Sequence, residues 1–155
     1  MSTNGAETPA RNPEASGPVS SLIPAVARAH RAIAASLLRD LNLAPGQELL
    51  LMMLWEREPR HQAEITRELA VEPPTSAKML ARMERAGVIT RERCEDDRRV
   101  VLVSLTEKGR GLREPVRAVW SALEERTTAG LSAEDQEQLT RLLNVVLANV
   151  TAHRD

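Results

Sequence analysis

The chain has 155 residues, with 21 Lys and Arg set against 22 Asp and Glu for a formal net charge of −1. That length favours one domain with its own core, and the charge balance leaves any role with nucleic acid to be decided by where the charges sit. A single cysteine excludes an intrachain disulfide, no apolar run is long enough to span a bilayer, and the N-terminus lacks a basic-then-apolar signal pattern, so a cytoplasmic protein is expected.

The first residues, up to about Pro18, carry Pro9, Pro13, Pro18, Gly5 and Gly17 and almost nothing apolar. Such a stretch cannot bury enough surface to offset its ordering entropy, which predicts a flexible tail over 1–20 and a domain over 21–155. From Leu22 a helical period begins, with Leu22, Val26, Ile33, Leu37 and Leu41 on one stripe and Pro24 in the first turn. Pro45 is expected to open a second helix that carries Leu49, Leu50, Met53 and Leu54 and ends near Pro59. A short third helix over 62–70 places Ile65 and Leu69 on one face. Pro74 then suits the first turn of a fourth, with Ala77, Leu80, Met83 and Ala86 inward and Gly87 as its left-handed cap.

Beyond Gly87 the period changes. Residues 88–93 and 101–105 are rich in β-branched side chains and alternate well enough to be strands, so the charged 94–99 stretch becomes the tip of an antiparallel hairpin. Thr106 caps a helix carrying Leu112, Val116, Val119, Trp120 and Leu123 to about Gly130. Ser132 with Asp135 forms a capping-box variant ahead of a last helix bearing Leu139, Leu142, Val146 and Val150. The predicted fold is mainly α with a small β-hairpin wing. Two short helices across a tight turn followed by a hairpin make a winged helix-turn-helix, an arrangement suited to duplex DNA: a helix for the major groove and a hairpin tip for the adjacent minor groove.

Aromatic content narrows this further. With no Phe, no Tyr and only Trp55 and Trp120, platforms that stack single-stranded bases and the aromatic RNA-binding sheets are excluded. No Gly-rich phosphate loop, nucleophile elbow or His-Glu-x-x-His is present, so no enzyme is expected. Neither is a cofactor or a metal, since His30, His61 and His153 are far apart and no second cysteine exists.

The run Asp97-Arg98-Arg99-Val100-Val101-Leu102-Val103-Ser104-Leu105-Thr106-Glu107-Lys108-Gly109 strongly resembles the wing signature of the MarR family of bacterial transcription regulators, Asp-x-Arg followed by alternating apolar residues and Leu-Thr-x-x-Gly. The resemblance continues through Pro73-Pro74-Thr75 and Met83-Glu84-Arg85-Ala86-Gly87. It implies a homodimer with dimerisation helices over 21–44 and 107–155 and a winged helix-turn-helix over 45–106. It also implies binding to a double-stranded, pseudo-palindromic promoter site, and in many members release by a small molecule. Carried over, Thr75, Ser76, Lys78 and Arg82 belong to the recognition helix, while Arg93, Arg98 and the Asp97–Arg99 pair belong to the wing. A guanidinium held by a carboxylate suits the minor groove because it is planar, always charged and weakly hydrated. Glu72 and Ala77 depart from the residues common in the family at the start of this helix.

Arg28, His30, Arg31, Trp55 and Trp120 are the candidates for an effector corner, cationic and aromatic, fitted to an anionic aromatic molecule. Cys94, flanked by Arg93 but followed by three acids, reads as an inert surface thiol, and the first helix has no cysteine of the kind that senses peroxide in the family. The alternative reading is a helical protein-interaction module that kept the fold and lost DNA.

Overall fold

The computed structural model describes residues 17–152; most of the expected tail, and His153, lie outside that range. The first helix, α1 (Pro18–Leu38), begins at Pro18, one turn earlier than the apolar period indicates. Pro18 is at its first position, where no amide donor is needed. Pro24 therefore sits in the second turn rather than the first, and the Ser20 carbonyl it leaves without a helical partner belongs to an exposed residue that water can reach. A 3-10 turn over Arg39–Leu41 closes on Asn42 in the left-handed region.

Pro45 does not open the second helix. Gly46 adopts φ 98° and interrupts the chain, so α2 is Gln47–Glu56. Its start is tied down by Gln47 Oε1 accepting from the Ala44 amide (3.0 Å) and Glu48 Oε2 accepting from the Gly46 amide (2.8 Å). Next comes β1 (Arg60–His61), a strand the sequence pattern does not reveal, followed directly by α3 (Gln62–Glu68) and α4 (Pro73–Arg85). Gly87, at φ 73°, ends α4 as expected.

The wing strands are β2 (Ile89–Arg93) and β3 (Val101–Leu105), paired antiparallel with Arg91 opposite Val103. β1 adds to the outer edge of β3, with Arg60 opposite Val103, so the sheet has three strands in the order β1-β3-β2 rather than a bare hairpin.

Thr106 accepts from the Gly109 amide (3.1 Å) and caps α5 (Glu107–Gly111). The single helix expected from here to Gly130 is divided at Leu112 into α5 and α6 (Arg113–Thr127). Gly109 and Gly111 weaken the helix, and Pro115 tolerates only a first turn, which places a new start at Arg113. The predicted capping box precedes α7 (Ala133–Ala152): Ser132 Oγ accepts from the Asp135 amide (3.1 Å), and Asp135 Oδ2 accepts from the Ser132 amide (3.2 Å).

The core joins Leu38, Leu43, Leu50, Leu51, Leu54, Ile65, Leu80, Met83, Val88, Ile89, Val103, Leu105 and Val116. It thus lies beneath the sheet and α2–α4, with α6 and the C-terminal half of α1 packed over it. The inward face of α4 is Ser76, Leu80 and Met83; Ala77 and Ala86, expected inside, are exposed. Leu22 and Val26 of α1 are also exposed, and α7 buries no residue against its own chain.

Candidate nucleic-acid interface

α4 starts with two prolines whose missing amides would have been orphan donors at a helix start. Its N-cap, Glu72, makes no side-chain cap. With Ser76, Leu80 and Met83 turned to the core, the helical repeat leaves Lys78, Arg82 and Arg85 at i, i+4 and i+7 on the outer side, all exposed. Among the described residues none of these three cations has an ion-pair partner, whereas Glu84 of the same helix is held by Arg91 (2.7 Å). That bond also ties β2 to α4, and with the Arg91 guanidinium donating to it the Glu84 carboxyl lies below the usual carboxylate range. Thr75 is exposed in the first turn.

Ser76 is a correction. It is 1% exposed, and its hydroxyl lies 2.7 Å from Thr66 Oγ1. Thr66 spends its one hydroxyl proton on the Gln62 carbonyl (2.9 Å), so Ser76 is the donor between the two. Its task is to latch α4 onto α3, and it cannot reach a base. Arg85, in contrast, belongs with the outward cations although the family pattern alone does not single it out; the spacing from Lys78 and Arg82 is the signal.

In the wing, Asp97 organises the tip. Its carboxylate accepts from the Arg99 amide (3.0 Å), Arg99 Nε (3.1 Å) and Arg99 Nη2 (3.2 Å). These donors, the guanidinium first, hold the Asp97 carboxyl below its ordinary range. The Asp97 carbonyl accepts from the Val100 amide and the Val100 carbonyl from the Cys94 amide, each at 2.9 Å, which closes the hairpin. Arg99 remains 91% exposed on its side chain. Its direction is thus fixed while most of its surface faces solvent. Arg93 donates to the Arg98 carbonyl (2.6 Å), so part of its hydrogen-bonding capacity is used to hold the tip; Arg98 itself is exposed. Cys94 is a half-buried free thiol at the end of β2.

A cleft of about 550 Å³ opens between α3, the start of α4 and the base of the wing, lined by His61, Gln62, Arg67, Pro73 and Arg99 among others.

The five effector candidates do not form one site. His30, Arg31 and Trp120 line a cavity of about 570 Å³ between α1, α2 and α6, together with Glu48, which the sequence does not mark as a site residue. Burial pushes the Glu48 carboxyl above its ordinary value, against the opposing backbone hydrogen bonds. Trp55 and Trp120 line a separate space of about 250 Å³ with Arg113 and Arg117. Trp55 is committed to structure, its indole donating to the Gly109 carbonyl at 3.1 Å, while the Trp120 indole nitrogen has no partner among the described residues. Arg28 lies in a shallower groove on the far side of Arg31. Among the described residues no cluster of His, Cys, Asp and Glu is sized for a metal ion, and no helix is long and apolar enough to cross a membrane.

The MarR family model matches residues 43–101, from within the α1–α2 connection to the first residue of β3. The organic hydroperoxide resistance transcriptional regulator of Bacillus subtilis (strain 168) is 40% identical over 106 residues, spanning 68% of this chain and 69% of that protein. The chain belongs to the MarR family. The HTH-type transcriptional regulator MgrA of Staphylococcus aureus is 33% identical over 111 residues, 70% of this chain and 73% of its own. A crystal structure of a cysteine-to-serine mutant of E. coli MarR complexed with operator DNA superposes with a TM-score of 0.78 at 26% identity, covering 87% of this chain and 96% of that one. These MarR-family relatives are transcription regulators and not enzymes. The mainly helical fold with its small antiparallel sheet matches the MarR fold over 87% of the chain.

Proposed function

We propose that this MarR-family regulator binds a pseudo-palindromic promoter duplex as a cytoplasmic homodimer and represses by occupying it, with a small molecule setting the spacing of its two recognition helices. The observation that carries the reading is the pairing of an unpartnered cationic stripe on α4, Lys78–Arg82–Arg85, with a wing arginine aimed by Asp97. A helix of this width fits the major groove, and a guanidinium at the hairpin tip reaches the neighbouring minor groove. Thr75 and Lys78 approach base edges, Arg82 and Arg85 phosphates, and Arg93 and Arg98 support Arg99. The E. coli MarR crystal structure, a relative with a similar fold complexed with operator DNA, supports the reading.

A dimer is supported by the apolar residues of α1 and α7 that the chain leaves uncovered. An effector is supported by the cavity where His30, Arg31 and Trp120 meet beside Glu48, whose Arg31 guanidinium and Trp120 ring suit an anionic aromatic molecule. Such a ligand shifts the helices only if it binds the two arrangements unequally.

Mobility shift with the duplex upstream of its own gene tests the reading. The parent is expected to bind, and Lys78→Ala or Arg99→Ala to lose about 1–3 kcal/mol. Absence of a shift would favour the protein-interaction alternative. Titration calorimetry with aromatic acids tests the effector cavity separately.

A further inference from the structure

We propose that the cleft between α3 and the wing is a phosphate seat, in which Arg67 of α3 holds the sugar–phosphate strand that divides the two grooves, beside the Arg99 that passes on into the minor groove. The proposal rests on the duplex-binding reading above and adds a contact outside the recognition helix and the wing tip.

The geometry follows from B-form DNA. When a helix lies in the major groove and a hairpin tip enters the adjacent minor groove, one backbone strand separates them. That strand must pass between the helix and the wing. The walls of the cleft are the first residue of α4, Pro73, on one side and Arg99 with Val100 and Val101 of the wing on the other, and α3 forms its floor. The strand therefore crosses the mouth of the cleft whenever both reading elements are engaged.

The chemistry of the walls agrees. Arg67 is exposed at the end of α3 and has no ion pair or side-chain hydrogen bond among the described residues. Arg99 shares the cleft, and Asp97 occupies only its Nε and Nη2 edge, leaving donors free. The carboxylates of α3 are turned elsewhere: Glu64 and Glu68 are held by the buried Arg60 at 3.6 and 2.8 Å, and neither lines the cleft. Among the described residues that line the cleft there is no acid. Arg67, on the floor of a lining without a carboxylate and between the two elements that flank the strand, forms a seat for a phosphodiester. It registers the protein on the duplex without reading sequence.

The test uses the full chain, fluorescence anisotropy and a salt titration, with the operator duplex and a random duplex. Arg67→Ala is expected to weaken both by a similar factor, about 5- to 10-fold, and to flatten the slope of log affinity against log salt by about 0.9. Arg67→Lys is expected to keep the slope, because an ammonium still neutralises a phosphate. Its thermal melt should match the parent's, since Arg67 holds no partner. A neutral methylphosphonate is then placed at each operator phosphate in turn. At one phosphate per half-site it should weaken the parent and leave Arg67→Ala unaffected. If the parent binds and Arg67→Ala matches it in affinity and slope, or if every methylphosphonate costs the two proteins equally, the seat is overturned. A parent that binds no duplex overturns the DNA-binding reading first, and the seat with it.

Discussion

At Ser76 a hydroxyl in the first turn of the recognition helix faces α3 instead of solvent, and its donation to Thr66 fixes the angle between the two helices. Ser76→Ala removes one buried hydrogen bond without disturbing the Thr66 donation to Gln62, so urea denaturation should show a loss of about 1 kcal/mol. The salt dependence of DNA binding should stay unchanged, the reverse of what Lys78→Ala does; a flattened slope in Ser76→Ala would return this residue to the interface. Glu48 shows burial acting on charge. Desolvation raises its carboxyl above the unfolded value, so the protonated form is favoured by folding. The stability linked to Glu48 is then present below the ordinary carboxylate range and is lost as pH rises through the raised folded value. Glu48→Gln keeps an acceptor for the Gly46 amide and removes the charge. It should melt higher than the parent near neutral pH and converge with it in acid; an equal or lower melting temperature at neutral pH would contradict this.

Among the elements, Gly109 carries a constraint that its sequence setting hints at only through the Leu-Thr-x-x-Gly pattern. A Cβ placed there would collide with the Val88 carbonyl oxygen and crowd Leu105, because α5 crosses directly over the start of the wing. The colliding atom is backbone and cannot swing aside. Gly109→Ala should therefore destabilise by about 2–3 kcal/mol in chemical denaturation, while Gly111→Ala, which meets nothing, should not. The long helices were legible because apolar residues repeat every three or four positions, and the wing strands because β-branched residues alternate. β1 was not, since two residues, one of them a charged Arg60, carry no alternation and their partners lie about forty positions away in β3. The break at Leu112 was marked by Gly109, Gly111 and Pro115, but the apolar stripe through Leu112 and Val116 runs across it. On α4 the core face was misplaced by one residue, Ala77 for Ser76. A serine is buried only when a partner waits for it, and Thr66 is ten positions away.

At the scale of the whole molecule, apolar faces stay open on α1 and α7 among the described residues. α7 exposes Leu143 and Leu147 at 56% and 58%, one turn apart, and α1 exposes Leu22 and Val26 at 61% and 59% in the same spacing. The wing and α4 rest on a buried apolar core, whereas α7 and the N-terminal half of α1 present apolar stripes that no described residue covers. A second copy would cover them and, by two-fold symmetry, set two recognition helices about 34–36 Å apart on one side of the duplex. Replacing Leu143 and Leu147 together by Glu places two charges in such a contact, where they would be desolvated without partners. Helical content should be largely kept, because Leu143 and Leu147 are exposed and no described residue of α7 is fully buried. Sedimentation velocity should show a dimeric parent and a monomeric variant at micromolar concentration. Operator affinity should fall by at least about 100-fold, the factor that joining two half-sites supplies. A parent that sediments as a monomer, or a variant that stays paired and keeps its affinity, would place the dimer contact elsewhere and remove the symmetry on which recognition of a pseudo-palindrome depends.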